Sequence, residues 1–528
     1  MKKIILSFLF IGLLTEAWSQ NTTAIKYAEL LTPENARKHL SILASDEFEG
    51  RETGKKGAEL AANYIADEFK KLNLKAPVSG SYFQNVQLVE GSFVVDKFQV
   101  NNKQLQNLRD FYFSSASVSK KVKAEEIIFA GYGISTAGYD DLKGINISGR
   151  VVVIISRGEP VKNGISLISK SSELSDWSKI RAKRIDNIRA KKPALILAVN
   201  PDLAQVLERS GSHLDKPKIS LKKDKVQSPV LSADVVQLTP EAANVFFSKS
   251  GTTLEQLTTS INESGLPASR KIKADIELSY GNKSKDVKAV NVLGYLEGTD
   301  LKQELVVLSA HYDHIGLNPD GIDKIFNGAD DDGSGTTAVL ELARAFSAAK
   351  KEGKGPRRSI LFLGVVGEEK GLLGSEWYSE HPIFPLKNTI CNLNIDMIGR
   401  VDTAHKNTPD YCYLIGSDKL STQLHKISEE ANATYTKLKI DYKYNDPADP
   451  ERIYYRSDHY NFAKHGIPII FYFNGVHEDY HKESDEISKI DFPLLVKRAK
   501  LVFHTAWELA NRDKRPVVDV KNDMPQTR

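Results

Sequence analysis

Between residues 289 and 510, apolar runs alternate with helix-forming segments, and run after run ends on a histidine or a carboxylate. Runs at 304–310, 358–366, 389–398 and 467–473 read as strands, with a helix from about Ser334 and another near Gly374. Buried hydrophobic strands that alternate with helices predict a largely parallel sheet covered on both faces. Such sheets gather their ligands beyond the carboxyl ends of the strands. The residues at those ends are His311-Tyr312-Asp313-His314, Asp330-Asp331-Asp332 ahead of a helix, Glu368-Glu369, Asp396, and Asp479-Tyr480-His481 with Asp485.

Carboxylates converging at buried strand ends are costly unless a cation compensates them. The chain has two cysteines, Cys391 and Cys412, so a thiolate zinc module is excluded and a metal must be held by oxygen and nitrogen. Two histidines with several carboxylates suit zinc, with manganese or cobalt as tolerable substitutes. More carboxylates than one tetrahedral ion can use point to two ions sharing a bridging carboxylate.

The 528 residues are enough for two to four compact units. With 72 basic and 68 acidic side chains, the net charge of +4 is too small for a general nucleic-acid binder. Lys2 and Lys3 precede an apolar run over 4–14 that ends near Ala17-Trp18-Ser19, the pattern of a cleaved signal peptide over 1–19 and too short to span a bilayer. Export to the periplasm or medium, without a stable membrane anchor, is expected. Residues 32–75 read as two helices started at Thr32-Pro33, with Ala58, Ala61, Ala62, Tyr64, Ile65 and Phe69 forming an apolar stripe. Residues 82–281 turn to short β-rich runs broken by Gly, Pro and Lys, a separate and mostly β domain. Within it, 177–192 reads as a basic helix with Trp177, Ile180, Ile185 and Ile188 on one face. Residues 513–528 are polar, contain two prolines and read as a frayed tail.

His311-x-Asp313, Gly328-Ala329-Asp330-Asp331-Asp332-Gly333, Glu368-Glu369-x-Gly371, Asp396-Met397, Ser457-Asp458-His459 and Tyr480-His481-x3-Asp485 together closely resemble the M28 family of zinc aminopeptidases and carboxypeptidases. The resemblance implies an α/β zinc exopeptidase fold, a mostly parallel mixed sheet flanked by helices on both faces. It implies two Zn2+ ions, with His311 and Asp396 on one, Glu369 and His481 on the other, and Asp331 bridging. Glu368 is then the general base, and Asp313 the carboxylate that orients the His311 imidazole. The Asp331–Asp332 peptide is expected to be cis. His314, His459 and His477 are expected as hydrogen-bonding or surface residues of the pocket rim, and Tyr454 or Tyr455 as an oxyanion partner.

Phe129-Ala130-Gly131-Tyr132-Gly133-Ile134, Tyr139-Asp140-Asp141 and Gly149-Arg150-Val151 resemble a protease-associated domain. The expected organisation is a leader at 1–19, peptidase helices at 20–87, an inserted domain at 88–285, the zinc peptidase domain at 286–512 and a tail at 513–528. The stripe Ala61, Ile65 and Phe69 should then pack on the later sheet. The implied function is an aminopeptidase acting on peptides. Alternatives are a glutamate-carboxypeptidase-type enzyme, a single-zinc glutaminyl cyclase, and a non-catalytic binding protein on the same scaffold.

Overall fold

The structure, a computed structural model, describes residues 21–115, 119–214, 216–222 and 233–524. The leader expected over 1–19 lies outside those residues, as do 525–528. Two compact units form, one from the chain up to Leu88 together with Val287 onward, the other from Val89–Asp286.

The first unit is built on β1 (Phe83–Asn85), β2 (Val290–Leu296), β3 (Leu301–His311), β4 (Arg358–Val365), β5 (Thr389–Ile395), β6 (Tyr411–Ile415), β7 (Lys439–Asp441) and β8 (Ile469–Phe473). Their order across the sheet is β1-β2-β4-β3-β5-β8-β6-β7. The central strands β4, β3, β5 and β8 run parallel. Antiparallel pairings flank them, β1 with β2 and β2 with β4 on one side and β6 with β8 on the other. Strands β4, β5 and β8 are wholly buried, as is β3 from Leu305 onward, and their alternation sends side chains to two covered faces. Val307, Leu361 and Leu363 join Tyr378 and Phe462 in one cluster. Phe362 instead meets Phe69 and Phe346, with ring centroids at 6.3 and 6.4 Å.

The early helices belong to this unit. Pro33–Leu43 starts at Thr32, whose hydroxyl accepts the Asn35 N–H. Lys56–Lys71 buries Ala58, Ala61, Ala62, Ile65 and Phe69 and packs on β2. Gly294 permits the close approach, since a Cβ there would come within 2.7 Å of Phe69. Tyr64 leaves the expected stripe: it is half-buried, and its hydroxyl pairs with His39 Nδ1 at 2.7 Å.

The frayed-tail expectation fails over 513–524. Arg357 pairs with Asp513 at 2.6 Å, Thr422 donates its N–H to Asp519, Asn522 donates to the Tyr454 hydroxyl, and Met524 is buried. Its polar residues serve as partners rather than as a solvated end. Cys391 and Cys412 are both buried and unpaired. Among the described residues no helix is long and apolar enough to cross a membrane.

The second unit carries a nine-stranded sheet. Its inner strands Val151–Ile155, Leu195–Val199 and Asp234–Leu238 are parallel and entirely buried. Helices Leu203–Leu214, Pro240–Phe247 and Leu254–Ser264 accompany them. The turn at 130–134 is stapled by Asp141, whose carboxylate accepts the N–H groups of Tyr132 and Ile134 and the Tyr139 hydroxyl. Gly131 makes room for that carboxylate at φ +50°. The single basic helix expected at 177–192 is instead broken at Ile180 between Asp176–Lys179 and Arg181–Arg189. Ile180 is accordingly exposed, while Trp177, Ile185 and Ile188 are buried.

Candidate metal centre

Four adjacent parallel strands deliver the chemistry. His311 is the last residue of β3, Glu368 and Glu369 follow β4, Asp396 follows β5, and His481 lies in the loop after β8. Asp331 stands in the turn before the helix Gly333–Lys351, and its peptide bond to Asp332 is cis.

The three consecutive aspartates have separate tasks, set by what their oxygens touch. Asp330 Oδ1 accepts from Ser334 Oγ and Gly399 N, and its Oδ2 faces His477 Nε2 at 3.2 Å. Asp332 caps the helix by accepting the Gly335 N–H and also takes the N–H groups of Met397 and His311. Only Asp331 turns both oxygens to histidines of the cluster. Its Oδ1 is 3.3 Å from His311 Nε2, which is also 3.6 Å from Asp396 Oδ1. Its Oδ2 is 3.2 Å from His481 Nε2, which is also 3.3 Å from Glu369 Oε2. Ligands about 2.0–2.1 Å from a tetrahedral zinc are separated by about 3.3–3.4 Å, and these four contacts lie close to that edge length. Among the described residues two groups bring their ligand atoms close enough to hold a metal ion, His311 with Asp332 and Asp396, and His314 with Asp331 and Glu369.

His311 and Asp396 each give their other polar atom to the protein, which fixes how the first one points. His311 Nδ1 pairs with the Asp313 backbone carbonyl at 3.0 Å. The Asp313 carboxylate is 3.8 Å from the same nitrogen, too far to orient it, which corrects the role expected for that carboxylate. Asp313 Oδ2 instead accepts from Thr53 Oγ1 at 2.5 Å and Oδ1 accepts the Glu368 N–H at 3.2 Å. Ser457 Oγ donates to Asp396 Oδ2 at 2.6 Å. Asp485 accepts the N–H groups of Asp330 and Asp331.

His314 departs from the expected rim position. It is fully buried, with Nδ1 2.9 Å from Glu369 Oε1 and 3.8 Å from Asp331 Oδ2. With Asp331 and Glu369 it forms one of the two groups whose ligand atoms lie close enough to hold a metal ion. His477 and His459 are buried too, against Asp330 and the Tyr454 carbonyl. Neither Tyr454 nor Tyr455 lines the cleft over the cluster, whereas Tyr480 does, beside Glu368, Asp331 and Asp396.

Burial pushes the Glu368 carboxyl well above its ordinary range, and neighbouring Glu369 and Asp396 push the same way against His311. For His311, burial favours the neutral ring, but Asp396, Glu368 and Asp331 outweigh it and hold the imidazole well above its usual value. His481 is likewise carried against burial, up to about 10, by Asp331 and Glu369. The cluster thus demands positive charge at the points where a divalent cation would lie.

A buried arginine that no sequence motif marks braces both loops. Arg51, 1% exposed, donates Nε to the Tyr312 carbonyl at 2.8 Å, Nη1 to the Leu43 and Asn327 carbonyls at 2.6 and 2.7 Å, and Nη2 to the Gly328 carbonyl at 2.8 Å. All of its partners are main-chain atoms, and three lie more than 260 positions away, so side-chain patterning carries no trace of it.

Residues 291–506 match Peptidase family M28. A probable leucine aminopeptidase of Trichophyton verrucosum (strain HKI 0517) is 33% identical over 214 residues, 39% of this chain and 55% of that protein. Aminopeptidase YwaD of Bacillus subtilis (strain 168) is 26% identical over 275 residues, 48% of this chain and 54% of that protein. The chain spans about half the length of these curated relatives. Among solved structures, the aminopeptidase from Aneurinibacillus sp. strain AM-1 aligns with a TM-score of 0.49 at 18% identity, covering 96% of this chain and 100% of that one.

Proposed function

Because residues 291–506 match Peptidase family M28, we propose that the chain is a dizinc aminopeptidase removing N-terminal residues from peptides. The observation that carries this reading is the division of Asp331, one oxygen toward His311 and Asp396, the other toward His481 and Glu369. His311, Asp331 and Asp396 would hold one zinc, and Asp331, Glu369 and His481 the other. Bound zinc supplies Lewis acidity, acidifying water and polarising a carbonyl.

Glu368 lines the cleft but belongs to neither trio. Its carboxylate takes the proton of the attacking water and returns it to the leaving amine, and its elevated proton affinity suits a group that must both accept and release. The hydrogen bond from its N–H to Asp313 Oδ1 holds the backbone of the loop that carries it. His311 and Asp396 keep one atom each for the metal because the Asp313 carbonyl and Ser457 hold the other.

The names of the relatives in Trichophyton and Bacillus support aminopeptidase over carboxypeptidase or cyclase action. The positive segment Lys2-Lys3, the apolar run 4–14 and Ala17-Trp18-Ser19 support export. The test is a profile of amino-acid amides, N-blocked dipeptides and N-terminal glutaminyl peptides with the purified chain and zinc, beside metal analysis. Release of the N-terminal residue at two zincs per chain is expected. Cleavage of blocked dipeptides, cyclisation, or zinc binding with no turnover of any substrate would each replace this reading with a different one.

A further inference from the structure

The cleft above the carboxylate cluster has one cationic side chain in its lining, Arg456. This arginine is exposed, and among the described residues its guanidinium has no carboxylate partner. Nη2 donates to the Tyr480 hydroxyl at 3.1 Å, and the guanidinium carbon lies 6.0 Å from the centre of that ring. The Tyr480 ring in turn stacks on His481 with centroids 3.8 Å apart. The lining also contains Ile453, Phe471, Phe473 and Val476, so the charged group stands beside an apolar wall.

Arg456 is the one cationic side chain among the cleft's lining residues, which include the carboxylates Asp331, Glu368 and Asp396, and its planar donor fork matches a carboxylate. We propose that Arg456 binds the free C-terminal carboxylate of a short peptide, so that di- and tripeptides are the preferred substrates of this site. The inference rests on the aminopeptidase reading and narrows it.

Length supports the terminal carboxylate as the source. The two ring distances place the guanidinium no more than about 10 Å from the His481 ring, and an extended chain advances about 3.3–3.6 Å per residue, so a peptide of at most two or three residues spans the gap. The apolar wall suits a neutral side chain on the substrate better than an acidic one.

The experiment uses the full chain loaded with zinc. Leu-Gly and Leu-Gly-Gly are compared with their C-terminal amides, and Leu-p-nitroanilide with Glu-p-nitroanilide, for the wild type, Arg456→Gln and Arg456→Lys. The wild type should favour free acids over amides by about 10- to 100-fold, carried by KM, the range a charge-assisted hydrogen bond supplies. Arg456→Gln should collapse that ratio toward one, and Arg456→Lys should restore part of it. A ratio unchanged in Arg456→Gln, or an equal loss on acids and amides, overturns the proposal and makes Arg456 a support for Tyr480. A preference for Glu-p-nitroanilide that disappears in Arg456→Gln overturns the terminal source in favour of an acidic side chain. A wild type that holds two zincs and cleaves none of these substrates removes the aminopeptidase reading itself, and this inference with it.

Discussion

Replacing Arg51 by methionine keeps an unbranched chain of similar length and removes every donor. Four buried carbonyls, those of Tyr312, Leu43, Asn327 and Gly328, then lose the guanidinium, although Gly328 keeps the Gly333 N–H at 3.2 Å. An unsatisfied buried acceptor costs about 1–3 kcal/mol, so the other three set a gross range of about 3–9 kcal/mol. Water entering the space and relaxation of the loops reduce this, and about 3–5 kcal/mol is the expected net loss, as for the removal of one partner from a buried charged contact. A domain stabilised by about 5–15 kcal/mol survives that, and at about 2 °C per kcal/mol for a unit of this size the melting temperature should fall by about 6–10 °C. Thermal unfolding followed by circular dichroism, with zinc content measured on the same samples, reads both consequences. Because Tyr312 adjoins His311, and Gly328 leads into the Asp331 turn, zinc should be held more weakly as well. A variant that melts within a degree of the wild type and keeps two zincs would refute the claim that Arg51 braces the loops.

Glu368→Gln should keep its zinc and lose about 10²- to 10⁴-fold in turnover, because an amide cannot accept the proton of the attacking water; zinc lost along with activity would make Glu368 a ligand. His314→Phe keeps the ring volume but frees Glu369 Oε1, and zinc affinity measured against graded chelators should weaken by about 10- to 100-fold, with unchanged affinity counting against the His314–Glu369 contact. Burial depresses His504 and His459 to about 3. From pH 6.5 downward the unfolded chain therefore takes up protons that the folded chain does not, and each ring should cost about 1.4 kcal/mol per pH unit until pH nears the folded value. His504 stacks on Tyr435 with centroids 3.8 Å apart, so His504→Phe retains the stack. Urea midpoints at pH 7 and pH 5 should then differ less in the variant, and an unchanged difference would contradict the burial argument.

The parallel centre of the first unit could be read from the sequence because β3, β4, β5 and β8 are predominantly apolar where they cross the core, and the residues just beyond them inherit a common edge. That logic brought His311, Asp331, Glu369, Asp396 and His481 to one place. It could not distinguish a backbone oxygen from a carboxylate on the same residue, which is why Asp313 was assigned the wrong atom for holding His311. Helical periodicity presumes an unbroken helix, so the bend at Ile180 put an exposed side chain on a buried face. Composition describes a segment by its own residues, and 513–524 owes its order to partners elsewhere, among them Tyr454 and Thr422. Arg51 escaped notice because its acceptors are carbonyls, which every residue carries.

The position of β8 beside β5 has a consequence for when the protein can first act. The loop after β8 supplies His481 and also Asp485, which accepts the Asp330 and Asp331 N–H groups. A ribosome-bound chain that has emerged only to residue 470 therefore has His311, Asp331, Glu369 and Asp396, but neither the second histidine nor the brace on the bridging aspartate. Closing a loop of 170 positions is among the slower steps of folding such a topology. The cluster is consequently complete only once the loop after β8 has emerged and docked, and a chain cut short of residue 481 lacks one of its two outer histidines.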